Sequence, residues 1–244
     1  MTRMLASVLS VEEAVLALEA GADLIDLKDP RRGALGALDA RVAREIVAVV
    51  AHRCLLSATA GDFPAMQPRA LVAAAQRAAG LGVHFVKVGF FGTPRDQQCM
   101  RALTPLAAQT RLVAVLFADL APTLDCAQLL SEARFAGVLL DTARKDGAGL
   151  PALLSRTQLA HFVGRARASG LITGLAGKLR LADIEPLLGL GADYLGFRGA
   201  LCTKHERSAA LDPAALQAVR RAIPLAAPLC ATLGSRIGHQ PAAA

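Results

Sequence analysis

The 244-residue chain has no tryptophan and a single tyrosine, and aromatic residues make up only 4% of it. So few aromatics leave no stacking platform for bases, and no nucleic-acid-binding motif is present. The net charge of +7 is explained equally well by a small anionic substrate, and no nucleic-acid partner is expected. Long hydrophobic runs are also missing. Charges, Gly or Pro interrupt every apolar stretch before the ~20 residues a membrane span requires. The opening MTRMLASVLS leads straight into a helical pattern and does not read as a signal peptide. No membrane partner and a cytoplasmic location are expected.

Cysteine pairing motifs are absent as well. Cys54, Cys99, Cys126, Cys202 and Cys230 form no CxxC and no zinc-type spacing with histidine, which suits buried reduced thiols. His52, His84, His161, His205 and His239 have no ligand spacing, and no GxGxxG, Walker A, GxSxG or HExxH occurs. Neither a metal nor a cofactor is expected.

Lysine is scarce too. Of 27 basic residues only five are lysines: Lys28, Lys87, Lys145, Lys178 and Lys204. Compositional bias toward arginine accounts for the ratio but not for the positions. Where charge alone is needed arginine suffices, whereas a neutral or nucleophilic amine must be lysine.

What is present is a regular alternation. Hydrophobic residues make up 54% of the chain, which excludes disorder. Short β-rich runs at 4–10, 23–28, 54–59, 84–89, 111–118, 137–142, 171–177 and 194–200 alternate with eight segments of helical periodicity. Eight strand–helix units predict a single-domain TIM (β/α)8 barrel over residues 1–231, with an unpatterned tail over 232–244. In such a barrel the site lies at the C-terminal ends of the strands. All five lysines fall on that side.

Asp26 and Lys28 are two apart on one strand and so share its face, directed into the barrel beside Leu24. A structural ion pair at the rim is the competing reading. Strand 6 repeats the theme, with Asp141 at its end and Lys145 returning from the loop. Lys87, within VKVGFFG, is costly to bury without a function. Amines converging on one rim repel each other's protons and favour a neutral, nucleophilic amine, the requirement for a Schiff base. Strands 7 and 8 end in Gly174, Gly177, Gly196 and Gly199, with Arg198 between the last two. Together they suit a phosphate group. Ser57 and Thr59 end strand 3 and can bind substrate or satisfy backbone. Glu12, Glu13 and Glu45 read as helix surface.

Six segments, IDLKDPRRGALGA, SATAGD, VKVGFFG, LDTARKDG, LAGKL and GFRGALC, resemble in order the (5-formylfuran-3-yl)methyl phosphate synthase family. The resemblance runs from about residue 5 to about residue 222. It implies a TIM barrel that condenses two molecules of glyceraldehyde 3-phosphate, in methanofuran and methylofuran biosynthesis. It also implies Lys28 as the Schiff-base residue and Lys87 as the proton-transferring one, with Asp26, Asp141 and Lys145 at the other polar positions. Lys178 departs from the pattern, where a small polar residue is expected, and stands outside the catalytic set. The residues alone reach a Schiff-base lyase or aldolase acting on a phosphorylated carbonyl compound. A class I aldolase using Lys145 and a non-catalytic phosphate-binding barrel are the alternatives. A homo-oligomer is expected.

Overall fold

The computed structural model describes residues 1–120, 122, 124–144 and 147–225. Eight parallel strands close into a barrel in chain order. They are β1 (Arg3–Val8), β2 (Leu24–Leu27), β3 (Leu55–Thr59), β4 (Phe85–Phe90), β5 (Leu112–Phe117), β6 (Gly137–Asp141), β7 (Ile172–Leu175) and β8 (Tyr194–Phe197). The expected fold is the observed one. Closure places β1 between β8 and β2, with Leu5 opposite both Gly196 and Leu24.

Strand alternation sorts the residues. Met4, Ala6 and Val8 of β1 and Ile25 and Leu27 of β2 face outward into the core beneath the helices. Leu5, Leu24, Phe85, Val115, Leu139 and Tyr194 point inward and fill the barrel as packed layers. The helices around it are α1 (Val11–Glu19), α2 (Ala40–Val50), α3 (Pro68–Ala79), α4 (Asp96–Ala107), α5 (Ala127–Glu132), α6 (Leu150–Leu153), α7 (Arg156–Ala168), α8 (Ile184–Leu188) and α9 (Pro213–Ala222). Their starts follow from the sequence. Asp39 and Asp212 accept from the first free N–H groups of α2 and α9, and Ser155 forms a capping box with Gln158 at α7. The four-residue α6 was not among the expected helices; it is too short for helical periodicity to show.

The loop after β2 folds inward over the barrel end. Asp62 accepts from the backbone N–H groups of both Ala34 and Leu35, at 2.8 Å each, and fixes the loop there. Leu35 is thereby pressed onto Gly89. A Cβ at Gly89 would lie 2.7 Å from Leu35 Cδ1, so any larger residue on β4 at this point would push the Leu35 side chain aside. Among the described residues no helix is long and apolar enough to cross a membrane. The expected tail over 232–244 lies outside the described residues.

Candidate active site

A cavity of about 800 Å³ opens at the C-terminal ends of the strands. Its floor holds two lysine–carboxylate pairs, both nearly removed from solvent. Lys87 Nζ lies 2.9 Å from Asp26 Oδ1, and Lys28 Nζ lies 3.7 Å from Asp141 Oδ2. The pairing differs from the expected one. Asp26 and Lys28 do share the inner face of β2, but the close partner of Asp26 comes from β4 and that of Lys28 from β6. Neither partner comes from a strand paired with β2: inward side chains of alternate and opposite strands meet in layers across the barrel interior, whereas two side chains 2 residues apart on one strand lie at different heights.

Asp26 is the best-anchored group in the site. Ser57 Oγ donates to its Oδ1 at 2.6 Å and Ser7 Oγ to its Oδ2 at 3.1 Å. Burial pushes its pKa up, but Lys87, Lys28 and the Ser57 hydroxyl more than offset this and hold it below the ordinary carboxylate value. Lys87 moves the other way. Burial lowers its pKa, with the Lys28 charge acting in the same direction, while Asp26 opposes both without cancelling them. The floor thus holds a firmly ionised carboxylate beside an amine whose proton is loosened. Asp141 is oriented by its neighbour's backbone, Thr142 N–H donating to Oδ1 at 2.7 Å.

The remaining expected site residues divide. Gly177, Gly196 and Gly199 line the cavity. Gly177 sits at φ +98°, and a Cβ there would lie 3.1 Å from Thr142 N. Both conformation and space demand glycine at this turn. Gly174 does not line the cavity; it lies deeper, where a Cβ would strike Leu139 Cδ1 at 2.7 Å. Ser57 is fully buried and its hydroxyl holds Asp26 instead of facing a ligand. Thr59 Oγ1 donates to Gly36 O at 3.0 Å, the backbone-satisfying role. Lys145 lies outside the described residues. Lys178 lines the cavity and donates to Gly147 O, while Lys204 is exposed and does not line it.

Arg198 requires a correction. A guanidinium has five N–H donors, and here all are engaged by the protein. Nε donates to Arg207 O at 2.8 Å, Nη1 to Ser7 O at 3.1 Å and Nη2 to Ala209 O at 2.8 Å. The other two meet the carboxylate of Glu13, at Oε2 and, 3.1 Å away, at Oε1. Arg198 therefore has no donor left for phosphate. Glu13 is correspondingly buried, not on the helix surface as expected. Its second role is to accept from Leu9 N–H at 2.8 Å, tying the end of β1 to α1. Glu13→Ala leaves a buried guanidinium half-unpaired and is expected to lower unfolding free energy by about 3–5 kcal/mol. Urea denaturation measures it; a loss under about 1 kcal/mol would show that the pair is not structural.

Three acidic residues escaped the sequence reading: Glu13, Asp62 and Asp119. Asp119 receives Ala143 N–H and Arg144 N–H at 2.8 and 2.7 Å and shapes the loop after β6 as Asp62 shapes that after β2. A usable signal existed. Asp62 and Asp119 stand just past the end of a strand, in SATAGD and LFADL, where loop N–H groups collect, and Glu13 stands in the first turn of the helix that follows β1. The four cysteines among the described residues are not candidates for chemistry: Cys54, Cys99, Cys126 and Cys202 are buried and free. Burial pushes the Cys54 thiol up to about 12 and those of Cys126 and Cys202 to about 11. Among the described residues no group of three or more His, Cys, Asp or Glu is placed to hold a metal.

Comparison with known proteins places the chain. Residues 4–220 match the family described as 4-HFC-P synthase. A Methylorubrum extorquens protein, named as a candidate (5-formylfuran-3-yl)methyl phosphate synthase, is 46% identical over 214 residues, 87% of each chain. The (5-formylfuran-3-yl)methyl phosphate synthase of Methanopyrus kandleri is 37% identical over 219 residues, covering 84% of this chain and 92% of its own. In fold, phosphoribosyl anthranilate isomerase from Thermus thermophilus superposes with a TM-score of 0.63 at 15% identity, covering 91% of this chain and 98% of its own. With this extent of matching, the chain is an enzyme of the 4-HFC-P synthase family.

Proposed function

We propose that the enzyme condenses two molecules of glyceraldehyde 3-phosphate into (5-formylfuran-3-yl)methyl phosphate, with loss of one phosphate and two waters, through an imine on Lys28. The observation that carries the reading is the arrangement of two amines on one cavity floor, each with its own carboxylate but held unequally. Lys28 is the more loosely paired, at 3.7 Å from Asp141, and lines the open cavity. It can turn from its partner to attack a carbonyl. Lys87 is bound at 2.9 Å to Asp26 and its ammonium form is disfavoured by burial, which suits a group that gives up and regains a proton in place.

In this scheme the Lys28 amine attacks the triose aldehyde and water leaves, giving an iminium that serves as electron sink. Lys87 takes a proton from the carbon beside it, giving an enamine. Phosphate is lost from one triose, carbon–carbon bond formation joins it to the second, ring closure with loss of two waters forms the furan, and a water cleaves the imine to free Lys28 and the product. Asp26 keeps Lys87 in place, and Asp141 stabilises the iminium charge on Lys28. The turn at Gly177 and the backbone at Gly199 hold a phosphate.

Incubation with glyceraldehyde 3-phosphate followed by mass spectrometry tests the reading. A furan aldehyde phosphate is the expected product, and a hexose bisphosphate, which an aldol addition gives with both phosphates retained, would replace the reading by an aldolase. Because lysine does the electrophile's work, chelator treatment is expected to leave the rate within about twofold. A large loss restored by added zinc or magnesium would overturn the lysine-only scheme.

A further inference from the structure

With Arg198 engaged by Glu13 and three carbonyls, the cations free to meet substrate must be sought elsewhere on the cavity wall. Lys178, Arg180, His205 and Arg207 also line it. Arg180 pairs with Asp183 at 3.7 Å and is largely in solvent. Lys178 leans on the loop after β6 through Gly147 O. Arg207 is different. It is half-buried and has no carboxylate in ion-pair reach among the described residues. Of its N–H donors, one Nη2 meets Gly33 O at 3.2 Å, and no other acceptor among the described residues engages the side chain. A charge partly withdrawn from water and left without a counter-ion is unfavourable in itself, which is how an anion-binding group is poised.

Its placement is fixed from behind. Arg198 donates to the carbonyls of Arg207 and Ala209, so the buried Glu13–Arg198 pair fastens the segment that carries Arg207. The contact with Gly33 spans from the loop after β8 to the loop after β2, above β1. Lys28 directly follows β2 on that same side, whereas the Gly177 turn follows β7, on the far side of β8. Two sectors of one cavity thus offer anion contacts. A condensation of two triose phosphates brings in two phosphate monoesters, and one glycine turn cannot serve both.

We propose that Arg207 forms a second phosphate-monoester subsite, between the loops after β8 and β2, for the triose that reaches Lys28. Its planar fork can meet two phosphate oxygens at once, which a lysine at this place could not. The proposal rests on the triose phosphate reading above, and the test keeps the two apart. Calorimetric titration of the full chain with glycerol 3-phosphate, which carries the monoester but no carbonyl, reports phosphate binding independently of imine chemistry. The wild type is expected to bind it. Arg207→Ala is expected to lose, or weaken at least about tenfold, one binding event, with the thermal unfolding midpoint unchanged. Arg207→Gln, which retains a donor for Gly33 O, covers the case in which alanine unsettles the loop. Wild-type affinity in a folded variant, or no binding by the wild type, overturns the subsite. If the condensation reading alone is wrong, the furan product is absent while glycerol 3-phosphate binding still depends on Arg207.

Discussion

Lys28→Arg is expected to abolish both turnover and covalent capture of substrate. In the wild type, borohydride added with glyceraldehyde 3-phosphate should reduce an imine and leave a triose adduct on Lys28. The substitution keeps the charge, and with it the pairing to Asp141 across the barrel. However, a guanidinium stays protonated and cannot present a lone pair to a carbonyl. Removing a covalent nucleophile while leaving its surroundings intact costs on the order of 10⁴-fold or more in rate. Lys87→Arg makes the contrast. Trapping on Lys28 should persist there while turnover falls roughly 10²–10⁴-fold, the range of a lost proton-transfer group. Peptide mapping decides the assignment. An adduct on Lys145 in the wild type, or capture undiminished in Lys28→Arg, would move the nucleophile elsewhere and favour the aldolase reading.

The strands and their inner faces were legible because a parallel barrel makes an unusual demand. Both faces of each strand are buried, so the background is a continuous apolar run and any polar residue stands out against it. Asp26 in DLIDLK, Ser57 in LLSAT, Lys87 in FVKVG and Asp141 in VLLD all broke such runs, and all four lie on the barrel's inner side. Their partnerships were not legible. Which carboxylate meets which lysine depends on how barrel closure stacks the inward residues of alternate and opposite strands into layers, and a strand's own sequence does not carry that information. Asp26 and Lys28 are neighbours in sequence and yet take partners from β4 and β6.

Arg198 shows the same limit more sharply. A cation between two strand-end glycines read as a phosphate ligand, because glycine turns and arginine commonly serve that purpose together. Its carboxylate lies 185 residues earlier, in the first turn of α1. Only closure of the barrel, which makes β1 the neighbour of β8, brings that turn beside it. Glu13 read as a helix-surface acid, and Ser10 followed three residues later by Glu13 is indeed the pattern of a helix start. Ser10 does cap α1, accepting from Glu13 N–H at 3.3 Å, but the glutamate side chain turns inward to the arginine. Arg207, in the loop beyond β8, carried no motif at all. Its interest comes from having no carboxylate partner among the described residues, and only three-dimensional contacts reveal that.

Asp26→Asn is expected to give the largest coupled change in stability and pH dependence. The carboxylate is 1% exposed and, ahead of Asp141, is the main group that opposes deprotonation of Lys87, whose side chain is 6% exposed. With the charge removed, burial and the Lys28 amine both push the Lys87 pKa downward with less opposition. Any limb of the pH–rate profile that reports Lys87 should therefore move to lower pH. Stability has a definite sign as well. Breaking a buried pair from one side costs about 3–5 kcal/mol near neutrality. The native pKa of Asp26 is depressed, so the stability it contributes is present above the unfolded carboxylate value, about 4, and is lost as pH falls through the native value. The variant cannot show that loss. The stability curves of wild type and Asp26→Asn should consequently lie far apart at neutral pH and converge at the acid end. They should also draw together at high pH, where Lys87 is neutral in both and has no charge left to pair. Urea midpoints measured across pH, together with the pH–rate profile of the variant, test both halves. A gap that stays constant into strong acid, or a limb that does not move, would show that Asp26 does not govern the Lys87 proton.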